Sequence, residues 1–363
     1  MTIKNISISC FRCFSNLDLE FSDLNNFFFG SNGSGKTSVL EALYFCSTGR
    51  SFKSSNKNLC IQNKQNSFQL KLETSNRNRI KILKTVNKSI YCEIDGQKAS
   101  SVELFKALPS TLLDSKTFSM FIDTPQYRRK VLDRCLMAAD KNYIKDFFSF
   151  HKALKQRNAA LKQDSKYGLD VWSETFASSG SHLSKKREEF FQRTKKVFFN
   201  FSKYFSDKRV LDIINSLDII FYKGWQEEYS LNKALQKSLD SDSRRQTTGA
   251  GPHKADIKFL SNGEDIKYIL SRGEQKFLSI LWCVSMHKTL SDFYNSFPFL
   301  IIDDIHSELD NEFYAELVNF LPKTSNQLFF SDINNPFDSK IDYQYLELKK
   351  FHVEQFNNAK KTK

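Results

Sequence analysis

NNFFFGSNGSGKTSVLEALY, residues 25 to 44, decides how the rest of the chain is read. Asn25 to Phe29 is a short apolar run of strand character, and after Lys36 the pairs Val39-Leu40 and Leu43-Tyr44 recur at helical spacing. Between them stands Gly30-Ser31-Asn32-Gly33-Ser34-Gly35-Lys36-Thr37, which matches G-x-x-x-x-G-K-[ST] in the strand–loop–helix setting that motif requires. Glycines let backbone N–H groups turn inward around phosphate oxygens, and the helix N-terminus adds the positive end of its dipole. Gly30 to Thr37 are therefore the expected nucleotide-binding residues, with Lys36 reaching the β- and γ-phosphates and Thr37 a ligand of Mg²⁺. A flexible Gly/Ser turn would have a similar composition but not these flanking elements.

A second half for such a site stands far along the chain. FPFLIIDD, 297 to 304, reads as a buried strand ending in two acids. There Asp303 would hold Mg²⁺ and Asp304 would orient or activate the attacking water. Before it, Leu270-Ser271-Arg272-Gly273-Glu274-Gln275 opens an apolar helix, 276 to 290. Ser271 and Gly273 at a helix N-terminus make a second anion grip. Taken alone, the same segment reads rather as an ordinary capping box, with Glu274 three residues after Ser271.

Outward from these motifs, Ile3 to Phe29 reads as two or three strands, and 68 to 95 alternates again, with Asp95-Gly96 as a hairpin turn. From about Tyr127 to Leu239 the pattern is mostly helical. Ile144, Phe147, His151, Leu154, Asn158 and Leu161 recur at three- and four-residue steps, and Leu183, Phe190 and Val197 at seven, as do Thr194 and Phe201. Two antiparallel helices joined partly through 164 to 170 are expected. Beyond Arg245 the pattern turns to mixed α/β with parallel strands, QLFF at 327 to 330 being a second buried one. The expected architecture is α/β: a P-loop ATPase lobe split into 1–130 and 245–363, with an inserted, mainly helical lobe over 131–244.

Composition narrows the class. The 363 residues suffice for about two domains. No apolar run approaches the roughly 20 residues of a membrane span, and the N-terminus lacks a secretory pattern, so a cytoplasmic protein is expected. Seven scattered cysteines fit reduced thiols, and the lone Cys10-x-x-Cys13 pair has no partner ligands to suggest a metal. Lys and Arg number 54 against 41 acids, a net charge of +13 that favours polyanions such as nucleic acid, though solubility alone would account for it. The 35 phenylalanines recur on core-like faces and are read as packing. Lys185, Lys186, Arg187, Arg193, Lys195 and Lys196 could meet phosphates or could be a solvated helix face. The Lys-rich end at 360 to 363 reads as a solvated tail.

The order of segments resembles the ABC ATPases: glycine loop, L-S-x-G-x-Q, apolar strand with Asp303-Asp304, then Ser307-Glu308-Leu309-Asp310. That resemblance implies an ATP-sandwiched homodimer in which Ser271, Gly273 and Gln275 of one subunit complete the nucleotide site of the other. The interval between Thr37 and Ser271 leaves no room for a long coiled-coil arm at about 1.5 Å per residue. Within the class the chain closely resembles the RecF family nearly end to end, through the segments already quoted and through TPQYRRKVLDR (124–134), LKQRNAAL (154–161) and TGAGPHKADI (248–257). Membership implies ATP and Mg²⁺ as cofactors, weak hydrolysis, binding to double-stranded DNA at single-strand gaps, RecR and RecO as partners and, through them, RecA. Three departures stand out. Asp304 replaces the Glu of fast ABC ATPases, Lys254 stands where Arg is common, and Ser331-Asp332 lacks the transporters' switch His. His253 and His306 sit in motif blocks without a required catalytic role. The competing readings are a transporter ATPase subunit, a nuclease-coupled ATPase, and a clamp in which ATP is purely structural. The first expects a switch His and the second an added acidic metal cluster.

Overall fold

Alternating apolar residues build the first layer of the computed structural model, which describes all residues except 118, 119, 122, 164–167, 306–308, 325, 334–347 and 355–363, and the side chains of 141 and 348. In β1 (Ile3–Phe11) and β2 (Phe14–Glu20), Ile6 and Ile8 pair with Leu19 and Leu17 across an antiparallel hairpin. The chain leaves as β3 (Asn25–Phe29) and α1 (Lys36–Thr48) and returns as β4 (Ser67–Thr74), β5 (Arg79–Thr85), β6 (Tyr91–Ile94) and β7 (Gln97–Lys98). These complete a six-stranded sheet in the order β2-β1-β4-β5-β6-β7, its last turn made by Asp95 (φ 50°) and Gly96 (φ 84°) in the left-handed conformation that Asp-Gly favours.

The second sheet is wholly parallel. After α2 (Ser101–Ala107) comes β8 (Ser110–Leu113), and late in the chain come β12 (Phe299–Asp303), α10 (Asn311–Phe320), β13 (Leu328–Asp332) and β14 (Leu348–His352). The order is β14-β3-β13-β12-β8. Its central strands are buried on both faces, which is why they read as apolar runs rather than as alternation. Helix α1 packs against both sheets and so has no polar face. These elements form one compact unit, Met1–Phe118 with Ser296–Lys363.

The other unit, Ser119–Asn295, holds α3 (Pro125–Ala139), α4 (Lys141–Leu161), α5 (Leu169–Asn200), α6 (Lys208–Ser216), β9 (Leu217–Tyr222), α7 (Leu231–Arg245), β10 (Asp256–Ser261), β11 (Glu264–Asp265), α8 (Ile266–Ile269) and α9 (Arg272–Tyr294). Helices α4 and α5 run antiparallel: Arg157 bonds Ser173, Phe150 meets Phe176 and Tyr143 meets Arg187, so positions fall on one helix as they rise on the other. Part of their connection, 164–167, lies outside the described residues.

Two features of the helical unit lie beyond the sequence reading. The helical stretch is interrupted by β9, which pairs antiparallel with β10 and, through it, with β11. By packing, the chain divides into compact units at 118/119 and 295/296, so that 256–294 lies with the helices. The physical cause is aromatic packing. Trp282 of α9 lies against Phe191 and Phe198 of α5 and Phe259 of β10, which holds 256–294 to the helical unit.

Candidate nucleotide site

Four buried positions of β3 deliver the chain to Gly30 at the end of the parallel sheet, and α1 begins six residues later. Gly30, Gly33 and Gly35 take φ values of 144°, 81° and 114°, backbone that other residues adopt only under strain. Gly35 is doubly constrained, because a Cβ there would lie 2.6 Å from Phe14 Cζ and 2.8 Å from Cys13 Sγ. Cys13 of the hairpin turn and Phe14 at the start of β2 thus buttress the loop through the missing side chain. Lys36 Nζ donates to the carbonyls of Gly30 (2.6 Å) and Ser31 (2.9 Å), which fixes the ammonium across the mouth of the loop. Burial holds the Lys36 ammonium below its ordinary pKa, against the opposing pull of Asp304, Asp303, Asp332 and Glu354.

The distant halves of the motif set meet here. Thr37 Oγ1 donates to Asp303 Oδ1 at 2.9 Å, and Ser331 Oγ donates to the same oxygen at 2.8 Å. Burial raises the Asp303 carboxyl above its ordinary range even though both hydroxyls and Lys53 stabilise the anion. Asp304 adopts φ 53°, and its N–H donates to Ser331 Oγ at 3.4 Å. A non-glycine residue in that region costs roughly 1–3 kcal/mol and is found where the surroundings impose it. The donors at Thr37 and Asp303 are oxygens alone, which suits Mg²⁺, an ion held by one or two protein oxygens plus phosphates. No cluster of three or more His, Cys, Asp or Glu residues suited to a metal occurs among the described residues, the Cys10-x-x-Cys13 thiols included.

The structure brings Gly30 to Thr37, Asp303 and Asp304 together in one unit and places Ser271, Gly273 and Gln275 in the other. Ser271 caps α9: its hydroxyl accepts the Glu274 N–H (3.4 Å), and Glu274 Oε2 accepts the Ser271 N–H (2.7 Å). The capping-box reading of this segment therefore holds, and an anion grip is compatible with it. The box uses the N–H groups of Ser271 and Glu274 and leaves those of Arg272 and Gly273 at the exposed head of the helix. Gln275 is bonded within its own segment. It is 4% exposed and turns its amide back to donate to the carbonyls of Leu270 (2.7 Å) and Lys267 (3.3 Å), so it shapes the segment from behind.

The basic run on α5 is largely spent on structure. Arg187 is buried against Asp133, Lys186 pairs with Asp140, Lys195 donates to the Ile219 carbonyl, and Arg193 lies over the rings of Phe293 and Tyr294. TGAGPHKADI is likewise a structural hub. Arg187 donates to the Pro252 carbonyl, Arg129 to that of Ala255, Arg128 pairs with Asp256 and Arg157 with Asp242 and Thr248. His253 Nε2 bonds the Thr248 carbonyl, a packing role. His306, Ser307, Glu308 and the Lys-rich end lie outside the described residues.

Two participants escape motif reading. Ser331 faces Asp303 across the parallel β12–β13 register, a pairing a single sequence cannot disclose. Glu354 follows β14 and accepts the Ser31 N–H at 2.8 Å, while His352 stacks on Phe29. At the position of the missing switch His, Asp332 instead accepts the Tyr314 hydroxyl and the Ile333 N–H.

Comparison with known proteins places this geometry in context. Residues 2–350 match the family described as RecF/RecN/SMC N terminal domain. The DNA replication and repair protein RecF of Pseudoalteromonas translucida (strain TAC 125) is 32% identical over 98% of this chain and 99% of its own length. That of Francisella tularensis subsp. tularensis (strain WY96-3418) is 31% identical over 91% and 94%. Solved structures of the recombination mediator protein RecF in the RecFOR pathway, as RecF-ATP and RecF-ATPrS, superpose with TM-scores of 0.78 and 0.77 at 24% and 25% identity, covering 97% of this chain and 96% of theirs. An Smc head bound to the C-winged helix domain of ScpA shares the fold alone, with a TM-score of 0.54 at 14% identity over 92% of this chain and 90% of its own.

Proposed function

This chain belongs to the RecF family, and from that premise we propose that it is an ATP-dependent DNA-binding protein of recombinational repair and replication restart. The observation that carries the reading is the meeting of Thr37 and Asp303 at 2.9 Å across 266 positions of sequence, which joins two half-motifs into one oxygen-donor site beside Lys36. ATP lies in the curve of Gly30 to Thr37, where Lys36 exchanges its carbonyl partners for phosphate oxygens. Thr37 and Asp303 hold Mg²⁺, which when bound neutralises charge on the phosphates. Asp304 orients the attacking water. Its carboxylate is one methylene shorter than that of Glu, which favours slow turnover suited to a release switch.

Ser271, with the N–H groups of Arg272 and Gly273, grips the γ-phosphate bound by a second copy, so ATP assembles a homodimer with two shared sites. Gln275 and Gly273 support that grip by shaping the turn. The dimer, with +13 per chain, binds double-stranded DNA at single-strand gap junctions and acts with RecR and RecO in loading RecA. A solved relative at 25% identity is the recombination mediator protein RecF of the RecFOR pathway, which supports those partners. A cytoplasmic setting fits such a role.

Light scattering with and without ATP and double-stranded DNA tests the reading. The parent chain dimerises on ATP and binds DNA as the dimer. Lys36→Ala and Ser271→Ala stay monomeric, and Asp304→Asn is trapped as the dimer. A chain that remains monomeric with ATP and binds DNA regardless of nucleotide would overturn the composite-site mechanism.

A further inference from the structure

A carboxylate at the head of α9 opposes the chemistry proposed for that helix. A phosphate docking at Ser271 meets the charge of Glu274 within one helical turn, and like charges at that range weaken anion binding. Yet Glu274 closes the turn, since its Oε2 accepts the Ser271 N–H and completes the capping box. The segment needs the shape of Glu274 and not its charge.

Arg209 of α6 resolves this conflict from outside every motif. Its guanidinium reaches Glu274 Oε1 from Nε at 3.1 Å and from Nη2 at 3.0 Å, while the other carboxylate oxygen stays on the Ser271 N–H. Burial pushes the Glu274 carboxyl up, but the bonds from Ser271 and Arg209 outweigh it and hold the group below its ordinary range, ionised and paired. Helix α6 does not need this pair to stay in place. Val210, Ile213 and Ile214 bury its apolar face, and Asp207 caps it by accepting the Val210 N–H. Arg209 itself is half exposed, and Glu274 far less so, with side chains 49% and 15% exposed.

We infer that Arg209 is a positioning residue for the Ser271–Gly273 segment: it cancels the charge of Glu274 and pins its carboxylate on the Ser271 N–H. The Ser271 hydroxyl and the N–H groups of Arg272 and Gly273 then remain available to a γ-phosphate held by a second copy of the chain. This rests on the reading of Ser271 given above. Lys would supply charge without the two-pronged geometry, so Arg209→Lys only partly replaces it.

Charge reciprocity gives the test. ATP-driven dimerisation is measured by light scattering for the parent, Arg209→Ala, Glu274→Gln and the double variant, with fluorescent ATP binding to the monomer measured in parallel. Gln at 274 keeps an oxygen for the Ser271 N–H and drops the charge. Arg209→Ala raises the concentration needed for dimerisation by about tenfold, the scale of an uncompensated charge at a helix terminus, and leaves monomer ATP affinity unchanged. Glu274→Gln dimerises close to the parent, and adding it to Arg209→Ala restores dimerisation. The inference fails if Arg209→Ala dimerises like the parent, or if the double variant is as weak as Arg209→Ala, the mark of a purely architectural role. If the parent itself never dimerises on ATP, the reading of Ser271 falls and the inference with it.

Discussion

Ser331 shows how a single hydroxyl can organise two acids. Its Oγ donates to Asp303 Oδ1 and accepts the N–H of Asp304, whose backbone sits at φ 53°. The bond to Asp303 supports a carboxylate that burial disfavours, and the bond from Asp304 helps hold the strained turn that aims the neighbouring carboxylate. Loss of one such bond costs about 1 kcal/mol, or roughly a factor of five in rate if the loss is expressed in the transition state. Ser331→Ala is accordingly expected to lower kcat for ATP hydrolysis by about five- to tenfold while ATP affinity, which we assign to Gly30 to Thr37, changes little. Steady-state kinetics with a separate binding titration separate the two. An unchanged kcat with collapsed affinity would mean that Ser331 serves loop architecture and not the Asp303-Asp304 turn. Ser331 could not have been chosen from sequence, where it registers only as the absence of a switch His.

At the scale of elements, the local motifs were legible and the long-range polar pairings were not. A glycine loop announces itself because its residues are adjacent and its glycines meet a backbone requirement; at Gly35 the structure adds a steric one. The core face of α5 was legible because its spacing survives in sequence: Leu183, Phe190, Thr194 and Val197 are buried, as is Phe201 just beyond. On α4 the expected positions were off the core face, His151 being exposed and only Leu161 buried, because Tyr143, Phe150, Ala153, Arg157 and Ala160 face inward. Hidden were the partners that only folding brings together, such as Arg209 with Glu274 and Glu354 with Ser31. Hidden for the same reason was the packing of α9 with the helices, made through Trp282 and not through any motif. Arg187 is the sharpest case. In sequence it is one of six basic residues on a helix; in the fold it is 2% exposed, bonds both oxygens of Asp133, and reaches the Tyr143 hydroxyl and the Pro252 carbonyl, tying α3, α4 and α5 to the 248–256 block. Breaking a buried pair by removing one partner strands the other charge, which costs about 3–5 kcal/mol. Arg187→Met is expected to destabilise the helical unit by that amount in urea unfolding. The double change Asp133→Leu with Arg187→Met should cost clearly less. A double variant at least as unstable as the sum of its singles would show that the network is worth more than its desolvation.

The two units should respond differently to acid. His253 and His287 both lie in the unit Ser119–Asn295 and are held neutral. Burial pushes His253 down to about 4, helped by Lys254 and Arg129 and opposed by the Thr248 carbonyl and Asp242. Burial, with a contribution from Lys288, pushes His287 down to about 3. The sign follows from proton counts. Below about pH 6.5 the unfolded chain protonates both imidazoles and the folded unit does not, so its stability falls with pH until the folded values are reached. Between pH 6.5 and 5 each imidazole accounts for a loss of about 2 kcal/mol. All three tryptophans, Trp172, Trp225 and Trp282, belong to this same unit, so their fluorescence follows it alone. Nucleotide binding, which we assign to Gly30 to Thr37, reports on the other unit, where the carboxyl shifts oppose one another, Asp303 raised and Asp23, Glu103 and Glu354 lowered. Urea titrations at pH 7, 6 and 5 are therefore expected to show the tryptophan midpoint moving steadily to lower urea. Circular dichroism, which sees both units, should at pH 5 resolve into two transitions. A single transition at every pH, with coincident probes, would mean that the units unfold together and that their coupling exceeds the several kcal/mol by which acid separates them.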